Sequence, residues 1–133
     1  MQIPLFLLLL FVIFVTGADP VIIGHVDTPS LDQITLQRIY TGKTVTLNGV
    51  RVTPVNLSPG NELRIGFLRN YLQEDEAEYI GYWTVRRYIG KGAPPQELKS
   101  SDDVLQFVIQ NLGAIGYVDE MELTPEVKVL LKK

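Results

Sequence analysis

The chain has 133 residues, with 12 basic and 15 acidic side chains, one histidine and no cysteine. A chain of this length is suited to a single domain around one core. Its net charge of -3 gives no reason to expect a nucleic-acid partner, and the lack of cysteine excludes disulfides, thiol catalysis and thiolate metal sites.

The first eighteen residues have the pattern of a targeting segment. Leu5–Val15 is an unbroken apolar run that is short for a membrane span. Small residues follow it at Thr16, Gly17 and Ala18, where a signal peptidase would cleave. We therefore predict a signal peptide over residues 1–18, export to the periplasm or beyond, and one domain over residues 19–133. Because no Lys or Arg precedes the apolar run, an uncleaved membrane anchor is the alternative.

Short strands and turns dominate the first half of the domain. The β-branched run Val21–Val26 predicts a buried strand. Thr35 is a suitable cap for a short helix that ends near Tyr40, before Gly42. Asn48-Gly49 lies between two strand-like runs, which predicts a tight hairpin.

Helices are predicted for much of the second half. Apolar residues spaced three and four apart predict an amphipathic helix after Ser58–Asn61. Further elements are expected over Asp75–Tyr88 (helix), Asp102–Asn111 (helix) and Ala114–Val118 (strand). This alternation predicts an α/β domain with a mixed sheet covered by helices. Periodicity leaves two choices for residues 120–133, an edge strand or a short helix.

Two motifs carry a family resemblance. Leu36–Lys43 reads Leu-Gln-Arg-Ile-Tyr-Thr-Gly-Lys, and Gly113–Val118 reads Gly-Ala-Ile-Gly-Tyr-Val. They resemble the Ile-Phe-x-Gly-Lys and Pro-Gly-Ala-Ile-Gly-Tyr motifs of phosphate ABC transporter substrate-binding proteins, with Tyr40 for the Phe and Leu112 for the Pro. The resemblance extends over about Val21–Val118. It implies a single periplasmic-binding-protein-like lobe of type II, equivalent to the second of the two lobes that close around phosphate.

The resemblance also implies a position for the ligand loop. In the family this loop reads approximately Arg-Ser-Asp-Gly-Ser-Gly-Thr-Thr, and the aligned residues here are Leu57–Arg64. Leu57 stands where the family has Arg, and Glu62 adds a negative charge in place of a glycine. These changes predict weak anion binding at most. The candidate anion-binding residues are Ser58, Gly60, Asn61 and Arg64. The alternative is purely structural, with Ser58 as a helix cap and Arg64 solvated or paired with an acid.

A stripe of aromatic residues has two interpretations. Tyr79, Tyr82, Trp83 and Tyr88 lie on adjacent turns of one predicted helix. They are suited to stacking on a ligand or partner, but packing against the sheet is the preferred interpretation, with one or two tyrosines left at the surface.

Two classes of function remain. The first is an exported solute-binding-protein-like module that takes a small anion or other solute, with or without a transporter permease. The alternative is an interaction or structural module that docks onto another envelope protein and binds no solute. We expect no enzymatic activity, because His25 is the only histidine and no nucleophile–base pair is apparent. No metal, cofactor or nucleic acid is expected.

Overall fold

The computed structural model describes residues 2–4, 9–11 and 19–133. The signal peptide predicted for residues 1–18 therefore lies largely outside the described residues. Within the described ranges, no helix has the length and apolar character needed to cross a membrane.

The described part of the chain alternates between strands and helices. The strands are β1 (Pro20–Gly24), β2 (Thr46–Leu47), β3 (Val50–Arg51), β4 (Thr53–Leu57), β5 (Gln96–Leu98), β6 (Ala114–Asp119) and β7 (Lys128–Leu131). The helices are α1 (Gln33–Tyr40), α2 (Glu62–Phe67), α3 (Glu76–Tyr88) and α4 (Ser101–Gln110). A π-helical stretch, Leu68–Leu72, continues α2, and a 3₁₀ turn, Glu120–Glu122, follows β6.

Five strands form one mixed sheet in the order β5-β4-β6-β1-β7. Strand β4 is parallel to both β5 and β6, whereas β1 is antiparallel to β6 and β7. The prediction of a mixed sheet covered by helices is therefore confirmed. Residues 128–131 form an edge strand, which decides between the two alternatives for the C-terminal segment. The parallel arrangement also brings the carboxyl ends of β4, β5 and β6 to the same edge of the sheet.

Local side-chain chemistry sets where several elements begin. Helix α1 begins at Gln33, earlier than predicted, because Asp32 and not Thr35 is its cap. The Asp32 carboxylate accepts a hydrogen bond of 2.7 Å from the Thr35 backbone N–H, as expected for an N-cap. The predicted hairpin is confirmed between β2 and β3. Its two turn residues, Asn48 and Gly49, both have positive φ, which suits a tight two-residue turn.

Helices cover both faces of the sheet. Strand β6 turns Gly116 toward α4, where an added Cβ would lie 2.6 Å from a Val104 methyl. The neighbouring Tyr117 projects from the opposite face and stacks on Phe67, with ring centroids 4.1 Å apart. Gly113, at the start of β6, has a φ of +83°, and a Cβ there would lie 2.1 Å from the Arg51 carbonyl oxygen. Glycine therefore allows a close approach of two backbone segments just before β6.

Candidate functional site

The carboxyl edge of the parallel strands is the position where α/β sheets of this kind usually bind ligands. An open depression of about 570 Å³ lies there. Its charged lining residues are Glu62, Lys99, Asp102, Asp119 and Glu122. Four carboxylates and one ammonium thus line the depression, so the electrostatic potential there favours cations over anions.

The loop after β4 contains three of the predicted anion ligands, and one of them, Asn61, lines this depression. Asn61 caps α2, and its side-chain oxygen accepts a hydrogen bond of 2.9 Å from the Leu63 N–H. Ser58 has a different role from the predicted cap, because its hydroxyl donates to the Leu98 carbonyl at 3.3 Å. Gly60 has a φ of +88° and open space around its Cα. The loop therefore keeps its turn, but its best-placed oxygen is already used for capping.

Arg64, the fourth predicted ligand, does not line this depression. Its side chain is only 3% exposed. The guanidinium donates two hydrogen bonds to the Glu76 carboxylate, from Nε at 3.0 Å and from Nη2 at 2.6 Å. Nη1 donates to the Leu57 carbonyl at 2.9 Å, and Glu97 lies 3.6 Å from the same nitrogen. The structure therefore shows Arg64 paired with an acid. Each of its three guanidinium nitrogens donates a hydrogen bond to a partner within the protein.

Leu57, which occupies the position of the family's arginine, is fully buried. Both of its backbone polar groups are used, since its N–H donates to the Tyr117 hydroxyl at 3.0 Å and its carbonyl accepts from Arg64. Neither its side chain nor its backbone is available to hold an anion.

A buried hydrogen-bond chain begins at the same strand. The Tyr117 hydroxyl donates to the Asn56 Oδ1, and the Asn56 Nδ2 donates to the Tyr79 hydroxyl, both at 3.0 Å. The Tyr79 hydroxyl then donates to the Tyr40 carbonyl at 3.2 Å. Both polar atoms of the buried Asn56 side chain are thereby partnered, as a buried amide requires.

Burial keeps these phenols protonated. It raises the pKa of Tyr79 to about 12, and it also raises the pKa of Tyr117 and of Tyr40 above the ordinary value for tyrosine. A neutral phenol remains a hydrogen-bond donor at every physiological pH. The chain from Tyr117 through Asn56 therefore works as a fixed structural network.

A second cavity opens on the α3 face of the sheet. This α3 cleft, also about 570 Å³, is lined by Asn56, Pro59, Arg64, Tyr79, Ile80, Trp83, Thr84, Arg87, Tyr88, Pro94, Pro95 and Glu97. It shares no lining residue with the depression at the carboxyl edge. Helix α3 forms one wall and the Pro94-Pro95 segment forms the other. The floor is formed by side chains of β4, α2 and β5, where Asn56 and Glu97 are neighbours across the parallel pair.

The aromatic stripe of α3 divides between the core and the surface. Tyr79 and Trp83 are buried, whereas Tyr88 is 91% exposed, so the preferred interpretation of core packing with some surface tyrosine is confirmed. Trp83 Nε1 is buried and has no hydrogen-bond partner among the described residues. The Arg86 guanidinium lies 5.8 Å from the Trp83 ring centroid, within the range of a cation–π contact.

Sequence reasoning considered the aromatic stripe as a possible ligand surface but did not identify Asn56 and Glu97, which line the same cleft. Asn56 was a usable signal, because a polar residue between Val55 and Leu57 in a buried strand requires a partner. Glu97 was harder to find, since β5 has only three residues and directly follows two prolines.

The fold is similar to part of two solved phosphate-transport proteins. The chain is similar to a protein from Clostridium perfringens described as a phosphate ABC transporter substrate-binding protein and solved with bound phosphate, with a TM-score of 0.68 and 21% identity. The match covers 85% of this chain and 44% of the Clostridium protein. An ABC-type phosphate transport receptor from Vibrio cholerae matches with a TM-score of 0.63 and 16% identity, over 85% of this chain and 45% of the receptor.

These likenesses confirm the resemblance seen in the two motifs at the level of the fold. The chain spans less than half of the length of either solved structure. No protein-family model matches the sequence, and no curated protein matches it.

Proposed function

We propose that the chain is an exported module with a solute-binding fold. The sequence of its phosphate loop differs from that of the family, so that it binds phosphate and similar anions only weakly. The observation that carries this proposal is the engagement of Arg64. A phosphate site of this fold depends on a guanidinium and on free backbone N–H groups. Here the loop's one guanidinium is paired with Glu76, and Leu57 stands at the position of the family's arginine.

The charge at the carboxyl edge supports the same proposal. Glu62 lies exposed in the first turn of α2, near three other carboxylates that line the same depression. Two like charges about 4 Å apart cost about 4 kcal/mol at an effective dielectric constant near 20. A phosphate dianion at this edge would meet that repulsion with only Lys99 as a counter-charge among the lining residues.

Export is part of the proposal and rests on the N-terminal sequence. The apolar run Leu5–Val15 and the small residues after it support a secretory leader. In an envelope compartment, the partners of this fold would be a small solute and either a transporter permease or another envelope protein.

The direct test is calorimetry with phosphate. We expect no saturable heat when the protein is titrated with millimolar phosphate. A dissociation constant in the micromolar range would contradict the proposal. Glu62→Gln is the informative variant, because removal of this carboxylate should strengthen any weak anion binding without disturbing the Arg64 pair.

A docking module for an envelope protein is the second candidate. It is favoured by the apolar residues Val85 and Ile89 at the C-terminal end of α3, which are 61% and 55% exposed and lie outside the α3 cleft. If this candidate is right, a specific envelope protein captured by the wild type should be lost with Val85→Arg and Ile89→Arg, and kept with Ile80→Arg. Equal capture by all variants would rule out this face.

A further inference from the structure

The α3 cleft has the size and composition of a small-molecule site. Its volume of about 570 Å³ lies within the common range for such sites, which are largely apolar with a few polar groups. Ile80 and Tyr88 supply apolar and aromatic surface from α3, and Pro94 and Pro95 supply it from the opposite wall. Such walls suit an apolar group about the size of an amino-acid side chain.

The floor of the cleft includes one carboxylate, Glu97, that accepts no hydrogen bond from the neighbouring Arg64. Arg64 lies between two carboxylates, but it forms hydrogen bonds only with Glu76 among them. Glu97 is 3.6 Å from the guanidinium, which is too long for a hydrogen bond. Its side chain is 44% exposed, and its oxygens accept no hydrogen bond from any described residue. A ligand ammonium that reaches Glu97 would therefore gain a charge-assisted hydrogen bond.

The wall of the cleft that α3 forms carries a positive charge. Arg87 is exposed on α3, lines the same cleft, and has no acidic partner among the described residues. The charged residues that line the cleft are Arg64, Arg87 and Glu97. Since Arg64 is buried and paired, the cleft offers a ligand one accessible positive group and one accessible negative group. A purely anionic or purely cationic ligand would satisfy one of them and be repelled by the other.

We propose that the α3 cleft binds a free amino acid with an apolar side chain, with its ammonium at Glu97, its carboxylate at Arg87 and its side chain against Ile80 and Tyr88. This inference rests on the proposed function as a solute-binding module and specifies its ligand class. It places ligand recognition in the α3 cleft, which shares no lining residue with the depression at the carboxyl edge.

The test uses Trp83, the only tryptophan of the chain, as a fluorescent reporter within the cleft. The full chain is titrated with L-leucine and L-phenylalanine up to about 10 mM, a range that detects binding free energies weaker than about 4 kcal/mol. We expect a saturable change in Trp83 emission. N-acetyl-L-phenylalanine lacks the ammonium and L-phenylalaninamide lacks the carboxylate, and each should bind at least about tenfold more weakly, because each loses one charge-assisted contact.

Matched variants separate the cleft from the rest of α3. Ile80→Arg should abolish the change in emission by filling the cleft, whereas Val85→Arg places the same charge on the same helix outside the cleft and should bind like the wild type. Glu97→Gln and Arg87→Gln should each weaken binding about tenfold, with Lys91→Gln as the control. Circular dichroism checks that each variant is folded.

Two results would overturn the inference. One is the absence of a saturable change with both amino acids, and the other is binding of the two derivatives that lack a charge as tightly as L-phenylalanine. A phosphate titration in the same assay keeps the two proposals apart. Micromolar phosphate binding contradicts the proposed function, while failure of the amino acids without phosphate binding overturns only the cleft assignment.

Discussion

The two cavities near strand β4 offer very different surroundings to a ligand. At the carboxyl edge, a short capped helix begins among four carboxylates and one ammonium. On the α3 face, apolar and aromatic walls enclose a floor with a partly free carboxylate, Glu97. Chains that share a fold can therefore differ in the charge at this edge, because the side chains alone decide that charge.

Arg64 connects the two regions. Its backbone belongs to α2 at the carboxyl edge, but its guanidinium lies on the α3 face, where it bonds to Glu76 and to the Leu57 carbonyl. The backbone of Arg64 therefore lies near the carboxyl edge, but its positive charge is paired with Glu76. Its side chain forms part of the floor of the α3 cleft.

Removing Glu76 should break this connection and have the largest effect. Glu76→Ala leaves a buried guanidinium with only the more distant Glu97 as a counter-charge, and loss of one partner from a buried pair costs about 3 kcal/mol. Urea unfolding measures the change. Glu126→Ala is the control, since Glu126 is exposed and has no ion-pair partner among the described residues, and it should stay within about 0.5 kcal/mol of the wild type. A loss below about 1 kcal/mol for Glu76→Ala would show that the pair is not the link described here.

A smaller effect is expected from the cap at the carboxyl edge. Asn61→Ala removes the acceptor of the Leu63 N–H and should lower the free energy of unfolding by about 1 kcal/mol. Ser58→Ala removes only a 3.3 Å bond to the Leu98 carbonyl and should cost about 0.5 kcal/mol. If the serine variant were the more destabilised of the two in urea, Ser58 and not Asn61 would be the important polar group of the loop.

The smallest effect concerns Glu74, just before α3. Burial, and then the nearby Glu78 and Asp75, raise the pKa of its carboxyl group above the ordinary glutamate value of 4.5. A raised pKa in the folded state means that the native protein holds this proton more tightly, so stability falls as pH rises through that pKa. Glu74→Gln should therefore stabilise the protein at pH 7 by a few tenths of a kcal/mol, after allowance for solvent screening. The gain should disappear below pH 4.5, where the carboxyl group is protonated in both the folded and the unfolded chain. If thermal melts showed the same stabilisation by Glu74→Gln above and below pH 4.5, the raised pKa of Glu74 would not be its cause.

The elements were largely predictable because their signals are local. Alternating apolar runs, capping residues and the Asn48-Gly49 turn act within a few residues, and the structure places strands and helices close to the predicted positions. Strand β5 escaped prediction because three residues carry too little periodicity and because its pairing partner, β4, lies about forty residues earlier in the chain.

The burial and pairing of Arg64 could be predicted from the sequence only in part. It shares a helical face with Phe67, Leu68 and Tyr71, at spacings of three, four and seven, and this pattern places a charged residue on a buried side. A buried charge needs a partner, but the identity of that partner depends on how α3 packs against the sheet. Helical spacing therefore predicts that Arg64 is paired, whereas only the tertiary structure identifies Glu76.

The most direct test of the account is a comparison of backbone amide shifts in ¹H–¹⁵N spectra of one sample titrated first with phosphate and then with L-phenylalanine. We predict no saturable shifts at Gly60, Asn61 and Glu62 with phosphate, and saturable shifts at Ile80, Tyr88 and Glu97 with the amino acid. Saturable micromolar phosphate shifts confined to the loop after β4 would contradict it.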